Sequence, residues 1–257
     1  MGAKLGQHFL RDPEALAAIA EACGAGPGDA ALEIGPGRGA LTGPLLAAGA
    51  RVTAVETDEA LAAALPGRVP DASRLTVVAE DFLRFDLGSL GPGPWRVAGN
   101  LPYAVAAPIL QKLLLWDGWT SAALMFQKEV ALRLVAAPGG PDYGLLTLSV
   151  LMRADAELVL ELPPEAFVPR PRVDSAVVAL SRRSAPRLAP EDEKVFWRLA
   201  KAAFGQRRKM AAGTISGALA RPRAEVEAAL AAAGVAKTAR PEEIAFPAWA
   251  ALARALR

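Results

Sequence analysis

Three glycines, Gly35, Gly37 and Gly39, limit what this chain can fold into more than any other stretch. They lie between an apolar run, Ala30-Ala-Leu-Glu-Ile34, and a segment beginning Ala40-Leu-Thr-Gly-Pro-Leu-Leu. The run reads as a short buried strand, the glycines as a tight turn and the rest as a helix. Strand, glycine turn and helix open a nucleotide-binding βαβ unit, in which the missing Cβ atoms let a ligand approach the backbone. The spacing is G-x-G-x-G, not the G-x-G-x-x-G of dinucleotide sites. That favours a ligand with no pyrophosphate to lay on the helix N-terminus and weakens a nicotinamide dehydrogenase. One glycine turn is weak on its own, so the following strands decide.

Arg51-Val-Thr-Ala-Val ends at Glu56, 17 residues beyond Gly39, near the roughly 20-residue offset at which an acid grips ribose hydroxyls. Leu75-Thr-Val-Val-Ala leads to Glu80-Asp81-Phe82, where Asp81 can accept from an adenine amine and Phe82 can pack on the ring. Trp95-Arg-Val-Ala leads to Asn100-Leu-Pro-Tyr103, and Asn100 is the only asparagine in the chain. Its amide oxygen and a carbonyl of Leu101 or Pro102 suit a planar amine. Pro102 fixes the backbone, and Tyr103 offers a stacking face. Read alone, the same four residues also suit an ordinary turn capping a strand. Glycines, Glu56, Asp81 and Asn100 nevertheless fall at the same end of four successive strands, where open α/β sheets bind ligands.

At 257 residues, 53% of them hydrophobic, the chain can hold one large domain or a large one plus a small one. It has no apolar run of about 20 residues to span a bilayer, and its start lacks a charged segment followed by an apolar one. One cysteine, Cys23, fits helix core and a reducing compartment, so a cytoplasmic protein is expected. A single cysteine and a single histidine, His8, exclude a Cys/His metal cluster, and no metal is expected. The net charge of +2 hides an asymmetry. Residues 1–181 hold 14 basic and 20 acidic side chains, residues 182–257 hold 15 and 7. We therefore expect an acidic domain over 1–181 and a basic, polyanion-binding module over 182–257. Arginine enrichment on solvated helix faces would produce the same count.

The remaining pattern predicts a helix from Asp12-Pro13, with Gln7 and His8 in the loop before it. It predicts helices over 104–116 and 128–136, and strands over 120–127, 145–152 and 173–180. Leu162 to Val173 is a proline-stiffened loop that could hold Phe167 at a cleft mouth, or a plain connector. Beyond a linker at 181–190, helices are predicted over 191–204, 207–219, 223–233 and 241–256. Arg207-Arg208-Lys209 would open the second of these. Basic side chains oppose the helix dipole there, so a phosphate partner would explain them.

The motifs resemble the ribosomal RNA adenine dimethyltransferase family. The matching stretches are Gly6-Gln-His-Phe-Leu10, Glu33-Ile-Gly-Pro-Gly-Arg-Gly-Ala-Leu-Thr42, Glu56, Glu80-Asp81, Asn100-Leu-Pro-Tyr103, Gln127-Lys-Glu129, Tyr143-Gly144, Phe167 to Val178 and Phe204-Gly-Gln-Arg-Arg-Lys209. They run in the family's order over nearly the whole chain. The resemblance implies an α/β fold, a seven-stranded Rossmann-like class I methyltransferase sheet with a small C-terminal all-helical domain. It implies S-adenosylmethionine as methyl donor and N6,N6-dimethylation of two adjacent adenosines near the 3′ end of small-subunit (16S) rRNA. A monomer acting on the immature small subunit is expected. By motif, Gln7, His8 and Leu10 would touch the methionine end of the donor, and Gly35 and Gly37 would let it pass over the turn. Glu56 would bind the ribose and Asp81 the adenine. Asn100, Pro102 and Tyr103 would hold the target base, with Phe167 on its other face. The family's longer basic arm before Gly6 is missing, which leaves an RNA role for the N-terminus in doubt. Two rivals are a large-subunit (23S) rRNA methyltransferase of the macrolide-resistance type and a non-catalytic RNA-binding assembly or transcription factor.

Overall fold

The structure, a computed structural model, describes residues 8–257. The chain divides into two compact units: the chain up to Leu132 with Ala154–Arg183, and Arg133–Arg153 with Ser184–Arg257. The expected cut at 181/182 is contiguous, and the observed division differs from it by moving 133–153 to the helical unit and 182–183 to the first. Tyr143, Leu148 and Met152 are the reason, since each is buried in that unit's apolar core.

The first unit opens with β1 (Phe9–Leu10) and α1 (Pro13–Cys23). Helix α1 starts where its sequence predicts. Asp12 accepts from the backbone of Glu14 and Ala15, Pro13 fills the first turn, and Gly24 closes the far end at φ 70°. There follow β2 (Ala30–Ile34), α2 (Thr42–Ala47), β3 (Arg51–Glu56), α3 (Glu59–Ala64), β4 (Leu75–Ala79) and β5 (Trp95–Asn100). Next come α4 (Ala106–Leu115), β6 (Trp119–Gln127) and α5 (Lys128–Leu134).

The segment Leu145–Met152 corrects a prediction. It is helix, α6 (Leu145–Arg153), and the strand is the following β7 (Ala154–Leu162). A short apolar run does not separate the two by periodicity, and here Thr147, Leu148, Val150 and Met152 are all buried. The unit closes with β8 (Phe167–Val168) and β9 (Ser175–Arg182).

Seven strands form one sheet in the order β4-β3-β2-β5-β6-β9-β7. The first five are parallel, and β9 and β7 join as an antiparallel edge. From β2 the chain steps outward to β3 and β4, then returns to place β5 on the other side of β2. That reversal opens a crevice at the carboxyl ends of β2 and β5. Separately, β1 pairs with β8 as a two-stranded ladder, with Leu10 opposite Phe167.

The second unit adds α7 (Pro190–Phe204), α8 (Ala211–Leu219), α9 (Arg223–Ala232) and α10 (Phe246–Ala255) to α6. Phe196, Leu199, Ala200 and Ala203 line one stripe of α7 at helical spacing and pack with Ile215, Leu230 and Trp249. Helix α8 begins later than predicted, so Arg207-Arg208-Lys209 lie in the turn before it and do not open it. Among the described residues no helix is long and apolar enough to cross a membrane.

Candidate active site

One cleft collects the strand-end residues. Its wall includes His8, Leu10, Gly35, Gly37, Glu56, Asp81, Asn100, Pro102 and Tyr103, together with Phe9, Glu33, Phe82 and Ile109. About 1120 Å3 of space lies between these residues, part of it open solvent at the mouth. Gly35 and Gly37 sit at φ 68° and 57°, where an L side chain is strained. A Cβ on Gly37 would also come within 2.9 Å of the Phe9 ring. The turn is therefore restricted to glycine by both backbone and neighbour.

Glu56 is almost wholly buried, and both its oxygens take backbone N–H groups. Oε2 accepts from Gly37 at 2.9 Å, and Oε1 accepts from Asp58 at 3.0 Å. The carboxylate thus welds β3 to the glycine turn and keeps further lone pairs for a ligand hydroxyl. Asp81 Oδ1 accepts from the Leu83 N–H at 2.9 Å.

Asn100 ends β5 and its amide Nδ2 donates to the His8 carbonyl at 2.9 Å. The nitrogen is thereby tied back and Oδ1 is left as acceptor. His8 is held twice more: Nδ1 lies 2.8 Å from the Pro169 carbonyl, and its ring stacks on Tyr103 with centroids 5.6 Å apart. The Tyr103 hydroxyl meets Ser175 Oγ at 2.6 Å, and burial pushes the phenol above its ordinary pKa. Ser175 is fully buried at the head of β9. Its only sequence signal was its place in the matching stretch Phe167 to Val178, which gave it no role.

A second residue that sequence reasoning passed over is Glu33. It lies in the quoted glycine motif but received no function. It is 1% exposed, and its Oε2 has no hydrogen-bond partner among the described residues. Burial pushes its carboxyl up to about 8. The nearby Thr42 hydroxyl works against the rise, and the charge of Glu56 adds to it.

Two expectations meet a different structure. Phe167 is 1% exposed in the apolar core under the β1–β8 ladder and is absent from the cleft wall. An aromatic side chain facing inward from a strand is favoured there by burial. Arg207, expected to be offered to phosphate, is tied down. It donates to the carbonyls of Pro141 and Tyr143 at 2.8 and 3.2 Å and lies 3.8 Å from Glu242. Arg208 and Lys209 are exposed. Gln7 lies outside the described residues.

A mainly parallel sheet with an antiparallel edge, glycines at its switch point and acids at the next strand ends is the architecture of the class I methyltransferases. The backbone agrees: the structure matches a crystal structure of the 23S rRNA methyltransferase ErmE with a TM-score of 0.79, 30% identity and coverage of 96% of this chain and 99% of that one. A dimethyladenosine transferase from Plasmodium falciparum shares the fold at a TM-score of 0.78 and 23% identity, over 95% and 96% of the two chains. Residues 2–253 match the ribosomal RNA adenine dimethylase family, and the chain belongs to it. Ribosomal RNA small subunit methyltransferase A of Paracoccus denitrificans is 46% identical over 98% of this chain and 90% of its own length. Its counterpart in Moorella thermoacetica is 39% identical over 98% and 91%.

Proposed function

We propose that the chain transfers methyl groups from S-adenosylmethionine to the exocyclic amines of two adjacent adenosines near the 3′ end of small-subunit rRNA. The observation that carries this reading is the anchoring of Asn100, which leaves its amide oxygen as acceptor on the same cleft wall as the glycine turn, Glu56 and Asp81.

The cleft's residues fit the donor. Glu33 Oε2, buried without a partner, suits an ammonium group, and the turn at Gly35 and Gly37 leaves room for close backbone approach. Glu56 would take the ribose hydroxyls, and Asp81, whose Oδ2 has no hydrogen bond among the described residues, the adenine amine. His8 and Leu10 would flank the methionine end. When bound, the donor supplies a methyl group on a positively charged sulfur.

The rest of the chemistry belongs to the chain. An adenine amine is a poor nucleophile because its lone pair is delocalised into the ring. Acceptance of its hydrogens by Asn100 Oδ1 and the Leu101–Pro102 backbone would draw the nitrogen toward a pyramidal geometry and free its lone pair. Tyr103 offers the stacking face for the extruded base. Stacking is worth about 1–3 kcal/mol against a few kcal/mol for leaving the helix stack. The leaving group is neutral, so no strong base is needed. Positioning supplies most of the acceleration, on the order of 7–11 kcal/mol.

The basic residues of 182–257, with Arg208 and Lys209 exposed, would hold rRNA, and the chain would act as a monomer on immature small subunits. Labelled donor offered to small and large subunits from an undermethylated strain tests the reading. N6,N6-dimethyladenosine in small-subunit rRNA is expected. Label confined to large subunits would favour the 23S type, and RNA binding without incorporation would favour a non-catalytic factor.

A further inference from the structure

The turn that carries Asp81 and Phe82 has an anchor in α4, and that anchor is Lys112. Backbone N–H groups of Arg84 and Phe85 both return to the Asp81 carbonyl, at 2.8 and 2.9 Å, which makes residues 81–85 a single helical turn. One isolated turn is costly to hold, and its last carbonyls lack partners within it. Lys112 Nζ supplies them: it donates to the carbonyls of Phe82, Leu83 and Phe85 at 2.7, 3.1 and 2.5 Å. That uses all three ammonium hydrogens, and the charge also lies 5.3 Å from the Phe82 ring centroid. Its pKa is lowered, first by desolvation, with Glu80, Asp81 and Asp86 opposing.

Helix α4 makes this anchor more than a surface clasp. It begins at Ala106, just past Tyr103, and Val105 and Ile109 line the cleft. Lys112 lies three residues beyond Ile109, on the neighbouring turn of the same face. One rigid element thus leads from the Asn100–Tyr103 tetrad to the turn bearing Asp81 and Phe82.

We propose that Lys112 is a positioning residue that fixes the Asp81–Phe82 turn against α4, and so sets the donor's adenine relative to the target-base tetrad. This rests on the donor reading above. A lysine that merely stabilised the fold would affect all ligands alike. A lysine that aims Asp81 would affect recognition of the adenine amine in particular.

The test uses the full chain and two probes, S-adenosylhomocysteine and S-inosylhomocysteine, the second lacking the amine. Wild type is expected to prefer the adenosyl compound. Lys112→Met should weaken the adenosyl compound about tenfold, with a much smaller loss for the inosyl one. The KM for rRNA should stay unchanged, and Lys112→Arg should restore the preference. Lys112→Gln serves the same comparison if the methionine variant does not fold. Equal losses for both probes, or none, would overturn the positioning role. Wild type failing to bind the adenosyl compound would sink the donor reading and the Lys112 role with it.

Discussion

Replacing Glu33 with glutamine gives the sharpest test of how the cleft is built. The side chain is 1% exposed at the end of a central strand, and its carboxyl is pushed up from 4.5 to about 8. In an unfolded chain the group ionises at its ordinary value. Between these two values the unfolded chain gives up a proton that the folded chain keeps. Stability therefore falls as pH rises from below 4.5 toward 8, and levels off above. At about 1.4 kcal/mol per pKa unit, going from about pH 5 to about pH 8 removes roughly 3–4 kcal/mol from the Glu33 contribution. Glu33→Gln stays neutral with nearly the same shape, so its stability carries no such slope. Urea unfolding of both proteins at several pH values reads the difference directly. The gap between them should move by roughly 3–4 kcal/mol in favour of the variant as pH rises over that interval. A gap constant to within about 1 kcal/mol would mean that Glu33 is already ionised at neutral pH, and that burial does not dominate. Donor binding adds a second reading. If an ammonium group pairs with Glu33, binding at neutral pH releases a proton, seen as a heat that depends on the buffer.

Asn100→Ala should lower methyl transfer about 10²–10³-fold, because an oriented acceptor is lost. Donor affinity should hold, and incorporation near the wild-type rate would refute the role. Gly37→Ala should cost about 1–2 kcal/mol in thermal unfolding, since the new Cβ meets both an unfavourable φ and the Phe9 ring. It should also weaken S-adenosylhomocysteine in titration. Arg207→Ala should destabilise the protein by about 1 kcal/mol through two carbonyls left without a donor. Arg208→Ala and Lys209→Ala should leave unfolding unchanged. Each should instead flatten the log–log salt dependence of rRNA binding by about 0.7–0.9.

The parallel half of the sheet was legible because each strand is an apolar run stopped by a polar residue that has business at the sheet's carboxyl edge. Gly35, Glu56, Asp81 and Asn100 marked those stops, and parallel βαβ connections put the stops at one edge of the sheet. Leu145–Met152 was not legible. Its residues are buried or half-buried on every side, which blurs the helical period, whereas the alternating Asp155, Glu157 and Glu161 of β7 were the better strand signal. Long-range links were hidden as well. Nothing near Asn100 in the chain says that His8, 92 residues earlier, will hold its amide. Glu33 was visible as a residue, but its unpartnered oxygen depends on what the folded core withholds from it. Phe167 carried a family motif yet went to the interior, since motif position does not reveal which face of a two-residue strand looks inward.

That two-residue ladder has a further consequence. The carbonyl steering Asn100 belongs to His8, whose neighbour Phe9 starts a strand that pairs, among the described residues, with Phe167–Val168 alone. So short a clasp can open locally at far less cost than melting the sheet. Catalytic competence is thus expected to be more fragile than foldedness. Mild heat, a proteolytic nick near the start of the chain or a partner tugging on that segment would silence the acceptor amide while the sheet, with Glu56 and Asp81, stayed intact.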